Sequence, residues 1–193
     1  TMEMLINAIK SFIRLSTEDE KLISILFREM ELKPGEYLLE EGKICKFVAF
    51  VAKGLLRFYS NDDGEEKTGY FSTGAGSGSY YPSFLTQSPA DRYIQALEPT
   101  KLYVIDYNHL QQLYKNVQEG ERFGRLAIEQ VYLSAIRQLD SFYTDPPEKR
   151  YQQFLNTYPT LVQRIPQYYI ASYVGIKPPS LSRIRKRLAK NIN

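Results

Sequence analysis

The spacing of apolar residues changes character several times along the chain. Leu5, Ile9, Phe12 and Ile13 share one helical face, and Leu22, Ile25 and Leu26 follow at the same period. This predicts helix over residues 4–30, with Thr17-x-x-Glu20 as a capping box. Lys33-Pro34-Gly35 then signals a turn. Beyond it the apolar runs are short and rich in aromatic and aliphatic residues: 37–39, 47–51 and 55–59. They are separated by Glu41-Gly42, Lys53-Gly54 and Asn61-Asp62-Asp63-Gly64. Asp-Gly between two such runs predicts a hairpin, because glycine takes the positive φ of a tight turn at low cost. Strand-like segments recur at 68–71, 92–96 and 101–106, and closely spaced short strands predict a jelly roll or barrel. Residues 72–79 read as loop, and Tyr80 to Leu85 as a single helical turn.

Helical spacing returns at Asn108, first as a short segment over 109–115 and then as a long one over 118–143. Within the long segment Ile128, Tyr132, Ala135, Leu139 and Phe142 follow the 4-3-4-3 spacing of a coiled-coil seam. They are candidate dimer contacts. Leu126, Leu133 and Ile136 lie on a second face, so one face can cover the strands while the other meets a partner helix. The same spacing also fits a single helix buried within one chain. Asp145-Pro146-Pro147 stops the helix and opens a further domain.

That last domain carries the sharpest signal. Tyr151, Phe154, Leu155 and Tyr158 mark a helix over 148–158. Residues 165–188 then have the spacing of a helix-turn-helix. Pro166 suits a helix start, Ala171 is small where two helices cross, and Gly175 sits at the sharp turn. Ile170, Val174, Ile176, Leu181 and Ile184 supply the apolar faces between the two helices. The second helix carries Ser180, Ser182, Arg183, Arg185, Lys186, Arg187 and Lys190 on its outward side and no acid of its own. Arginine can pair with a guanine edge, while lysine, arginine and serine hold phosphates. The candidate DNA-binding residues are Lys177, Ser180, Ser182, Arg183, Arg185, Lys186 and Arg187.

Charge strengthens that reading. From Lys149 onward there are nine Lys or Arg and no Asp or Glu, leaving 16 of the 25 basic residues to face all 22 acidic ones, a balance of −6. A cationic end on an anionic body points to a polyanionic partner, although a solvated basic surface has the same composition. The 193 residues contain one cysteine and one histidine, Cys45 and His109. Cysteine-ligated iron–sulfur clusters, four-cysteine zinc sites and multi-histidine metal centres are excluded, and with them a metal-dependent jelly-roll enzyme. No motif for a nucleophile, a paired-carboxylate site or a Walker loop competes, so no catalytic residue is expected. No apolar run approaches a membrane span, the longest (47–52) ending at Lys53. With no basic leader segment at the N-terminus, a cytoplasmic protein is expected.

The order of these parts resembles the cyclic-AMP receptor protein/FNR (CRP/FNR) family of transcription regulators. Lys33 to Gly42 resembles the family's first β-roll strands, and Val51-Ala52-Lys53-Gly54-Leu55-Leu56-Arg57-Phe58-Tyr59 its next pair. The 118–143 helix resembles the dimerisation helix, and 170–188 the helix-turn-helix. The resemblance implies an α+β chain with an N-terminal β-roll (jelly-roll, cyclic nucleotide-binding-like) domain over 1–116, a dimerisation helix over 117–144 and a helix-turn-helix domain over 145–193 lacking most of the family's wing. It implies a homodimer on an inverted-repeat operator in double-stranded DNA, with RNA polymerase as a further partner. It also implies a small-molecule effector site in the roll, with candidate contacts Gly78, Ser79, Tyr80, Tyr81 and Arg92. The family's cyclic-AMP binders carry a Gly-Glu pair and an Arg followed by a small hydroxyl residue. Here the stretch reads Gly78-Ser79, and Arg92 is displaced and followed by Tyr93. Tight cyclic-AMP binding is therefore not expected, nor is haem, and Tyr80, Tyr81 and Phe84 either line an aromatic pocket or fill it. Pro178-Pro179 replaces the Arg-Glu of the best-known recognition helices, and Arg183 aligns with their third base-reading residue. The competing reading is a ligand-binding signalling module that does not bind DNA.

Overall fold

A computed structural model describes residues 1–190. It divides into two compact units, one formed by residues 1–60 and 71–131 and the other by residues 61–70 and 132–190.

The first unit opens with two helices, α1 (Met2–Lys10) and α2 (Thr17–Leu26), rather than one. The break is local chemistry. Ser16 caps α2, its hydroxyl accepting from the Asp19 amide at 3.0 Å while the Asp19 carboxylate accepts from the Ser16 amide at 3.0 Å. The capping box is thus Ser16/Asp19, one position earlier than Thr17/Glu20, and it satisfies amides that a continuous helix would have bonded elsewhere. Asp19 is buried and also accepts from the Gln118 amide at 3.2 Å. Residues 28–30, expected to be helical, lie in strand β1 (Arg28–Leu32). Pairing with a later strand overrides their helical preference, which strand context readily does.

Seven strands make two sheets: β1, β2 (Tyr37–Leu39), β3 (Phe47–Lys53), β4 (Leu55–Asp62), β5 (Glu65–Thr73), β6 (Tyr93–Ala96) and β7 (Thr100–Asp106). One sheet runs β1-β7-β3 and the other β2-β6-β4-β5. β7 is central in its sheet, with Glu29 opposite Tyr103 on one side and Phe50 opposite Tyr103 on the other. The core includes Val51, Leu56, Ile94, Leu102 and Val104, all fully buried. The β3–β4 turn depends on Gly54, which has φ +106°; a Cβ there would lie 2.6 Å from the Thr100 backbone. Helix α3 (Tyr81–Thr86) fills the predicted helical turn, and α4 (Tyr107–Asn116) follows β7 with Asp106 as its cap. His109 serves that cap, its ring Nδ1 lying 2.7 Å from Asp106.

The long helix α5 (Gly120–Thr144) follows, then α6 (Pro147–Thr157), a short 3-10 turn (Leu161–Gln163), α7 (Gln167–Val174) and α8 (Pro178–Lys190). In the second unit Phe154 is buried at the centre of an aromatic cluster, 5.4 Å from Tyr158 and 5.3 Å from Tyr173 between ring centres. Among the described residues, no helix is long and apolar enough to cross a membrane.

Candidate nucleic-acid interface

The turn between α7 and α8 is built by hydrogen bonds that need a glycine. Gly175 has φ +76°; its amide donates to the Ser172 carbonyl at 3.1 Å, and the Ile176 amide donates to Ala171 at 3.0 Å. That pair is a Schellman ending, which closes α7 and redirects the chain. A Cβ at Gly175 would also sit 2.8 Å from the Phe142 ring, so both conformation and space select glycine. Arg150 braces the turn from α6, donating to the Val174 carbonyl at 2.8 Å and the Asp145 carbonyl at 2.7 Å while its guanidinium lies 5.3 Å from the Phe142 ring centre. Of the predicted helix-locking residues, Ile170, Val174, Leu181 and Ile184 are buried and Ile176 is half-buried; Ala171, expected to be small at the crossing, is buried too. Pro178 and Pro179 occupy the first turn of α8, where missing amides do no harm.

With Leu181 and Ile184 inward, Ser182, Arg183, Arg185, Lys186 and Arg187 are exposed, Lys177 is exposed beside them, and Ser180 is half-buried. Arg183 donates to Ser180 Oγ at 3.1 Å, which holds its guanidinium along the helix. Arg185 and Lys186 have no ion-pair partner among the described residues. The face is not wholly free of acid, in contrast to what the sequence of α8 alone suggests. Glu148 of α6 takes two hydrogen bonds from Arg187, at 2.5 and 3.1 Å, and Glu65 of β5 takes one from Lys177 at 2.7 Å. Lys177 holds the Glu65 carboxyl below its ordinary range, chiefly through that hydrogen bond. Residue separations of 39 and 112 hid these acids from sequence reading. Arg150 was hidden too, since it sits in an ordinary charged run and acts through backbone carbonyls.

On α5, Ile128 is half-buried, while Tyr132, Ala135, Leu139 and Phe142 are exposed within the single chain. Leu133 and Ile136 of the second face are exposed as well, at 50% and 36%. Phe142 has a further use in packing against Gly175 and Arg150.

The candidate effector residues in the first unit are largely committed to the fold. The Gly78 amide donates to the Ala49 carbonyl at 2.7 Å, and a Cβ on Gly78 would come within 2.9 Å of Leu56. Ser79 Oγ donates to the Phe47 carbonyl at 2.9 Å and accepts from the Ala49 amide at 3.2 Å. The amides of Ala75 and Gly76 are spent on Val51 and Thr73. This stitches the glycine-rich loop onto β3, and these amides are no longer available to cradle an anion. Tyr80 hydrogen-bonds with Asp91 and Arg92, and burial together with the Asp91 bond raises its hydroxyl. Burial pushes the Tyr81 hydroxyl up to about 12, so it stays protonated. Arg92 lies 3.5 Å from Asp91, which offsets its charge locally. Cys45 is buried with its thiol pushed up by desolvation, and no group of three or more metal-ligating side chains occurs among the described residues.

A model of the cyclic nucleotide-binding domain family matches residues 29–128. The chain belongs to this family. No curated protein sequence matches it. Among solved structures, FixK2 from Bradyrhizobium japonicum is similar at a TM-score of 0.72, with 15% identity over 86% of this chain and 85% of that one. A putative transcriptional regulator of the CRP/FNR family from Eubacterium rectale is similar at 0.69, with 18% identity over 92% and 85%. The c-di-GMP-responsive regulator CLP from Xanthomonas campestris is also similar at 0.69, with 13% identity over 91% and 93%. The fold is that of CRP/FNR-type regulators, as the strand and helix order led one to expect. The matched cyclic nucleotide-binding domain contains the loop over 74–85 and Arg92 and extends into α5, whereas α7 and α8 lie beyond it.

Proposed function

We propose that the chain is a sequence-specific DNA-binding transcription regulator of the CRP/FNR type, acting as a homodimer on an inverted-repeat operator and not as an enzyme. One observation carries the reading: a row of exposed cations on α8, held outward behind a glycine turn. In this reading Arg183 reads a base edge, and Lys177, Ser180, Ser182, Arg185, Lys186 and Arg187 hold phosphates. The exposed stripe of Tyr132, Ala135, Leu139 and Phe142 takes a second copy of the chain, which brings two α8 helices to one duplex. The roll acts without a cyclic-phosphate anchor, because no glutamate stands beside Gly78 and Arg92 is turned to Asp91.

Fluorescence anisotropy of the full chain on duplexes from upstream of its own gene tests the proposal. Binding should weaken steeply from about 50 to about 200 mM salt, as neutralised phosphates recapture counterions. Failure to bind any duplex at low salt, with or without added small molecules, overturns it in favour of a signalling module. A clear rise in melting temperature with cyclic AMP would overturn the reading of the roll while leaving the DNA reading standing.

A further inference from the structure

The β4–β5 hairpin ends in Asn61-Asp62-Asp63-Gly64-Glu65-Glu66, a four-acid turn. Residues 61–70 belong to the same compact unit as the helix-turn-helix. Hydrogen bonds run between them. Ser172 of α7 accepts from the Thr68 amide at 2.8 Å and donates to the Glu66 carbonyl at 3.1 Å. Lys177, immediately before α8, donates to Glu65 at 2.7 Å. The hairpin is also held from α5, where Gln138 donates to the Gly69 carbonyl at 2.6 Å. Asp62 is occupied by Lys67, while Glu65 and the Glu66 and Thr68 backbone meet the helix-turn-helix.

We infer that this acidic turn is an autoinhibitory clamp, in which Glu65 occupies the cation that a DNA phosphate would otherwise take and Ser172 latches the hairpin to α7. The inference rests on the DNA-binding reading above and adds to it a built-in competitor. Both side chains are largely exposed, 78% for Lys177 and 61% for Glu65, so the pair is weak enough for a polyanion to displace. Two backbone bonds to one hydroxyl give the latch its geometry, and the Gln138 bond ties the hairpin to the helix that bears the exposed apolar stripe.

The experiment is a double-mutant cycle in the full chain, read by anisotropy on a bound duplex. Glu65→Gln should tighten binding by about threefold at low salt, the scale of an exposed ion pair. Asp63→Asn removes the same charge from the same turn, and Asp63 makes no ion pair among the described residues. It should tighten binding distinctly less. In a Lys177→Gln background the gain from Glu65→Gln should vanish. Equal effects of Glu65→Gln and Asp63→Asn, or a gain that survives in the Lys177→Gln background, overturn the clamp and leave DNA binding intact. Amide exchange at Thr68 is the second readout: duplex should accelerate it as the latch opens, and continued protection in the complex also overturns the clamp. If neither the wild type nor any variant binds a duplex, the regulator reading falls and the clamp with it.

Discussion

The α8 face and the loop over 74–85 are both rich in hydroxyls, and each precedes or forms a helical segment, yet they end with opposite properties. Along α8 the backbone satisfies itself, so serine and arginine side chains stay on the outside. In the loop the backbone is irregular and lies against β3, and nearby hydroxyls are drawn in to complete its bonding. Ser79 bonds both Phe47 and Ala49, and Ser83 accepts from the Cys45 amide at 2.9 Å while donating to Ser88. The cations differ in the same way. Arg185 and Lys186 stand clear of acids among the described residues, whereas Arg92 is turned to its neighbour Asp91. Polar composition alone does not make a site; what matters is whether the backbone has already claimed the polar atoms.

The strongest test of this contrast is to remove the platform under α7 and α8. Phe154→Ala should cost about 3–5 kcal/mol of unfolding free energy, measured by urea denaturation, because Phe154 is buried among Tyr151, Tyr158 and Tyr173. A loss under about 1 kcal/mol would mean the cluster is not the core that holds α7 and α8. Next comes a matched pair of arginines. Arg183→Ala should weaken binding to the best duplex by about 1–3 kcal/mol and relax preference at one base pair, while Arg92→Ala should leave DNA affinity within about 0.5 kcal/mol. Equal weakening by Arg183→Ala on every duplex would make Arg183 a phosphate contact instead.

Gly175→Ala should destabilise by about 1 kcal/mol or somewhat more, since φ +76° and the Phe142 ring at 2.8 Å both oppose a methyl group. An unchanged denaturation midpoint would show that the turn relaxes freely. The smallest effect concerns Asp19. Its burial raises the carboxyl, but the Ser16 amide and hydroxyl and the Gln118 amide outweigh that and leave it below its ordinary value. A depressed carboxylate contributes stability above the unfolded-state pKa and loses it as pH falls through the folded value. Asp19→Ala should therefore cost roughly 1 kcal/mol at neutral pH, and the gap to wild type should shrink under acid. A pH-independent gap would indicate that packing, not charge, holds the α2 start.

Much of the architecture was legible because it is local. The Gly54 and Gly175 turns, the short strands, the long helix before Asp145-Pro146-Pro147 and the α7–α8 spacing all carry signals among residues within a turn or two of one another, even where distant groups such as Thr100 and Phe142 add to them. The failures were also instructive. Helix over 28–30 was overridden by pairing of Arg28 with Val104 and Met30 with Leu102, partners far along the chain. The capping box was displaced by one residue because Ser16 and Asp19 form the reciprocal pair, with Gln118 adding a bond from 99 residues away.

The candidate sites divide along the same line. By itself the sequence determined which helix carries the cations and that its inward positions are apolar, because helical period alone assigns faces. Only the tertiary structure decided that Glu148 and Glu65 meet Arg187 and Lys177, that Arg150 closes the ends of α5 and α7, and that the glycine-rich loop spends its Ala75 and Gly78 amides on β3. The physical reason is that hydrogen bonds and ion pairs act over a few ångströms in space, and sequence separation does not measure that distance.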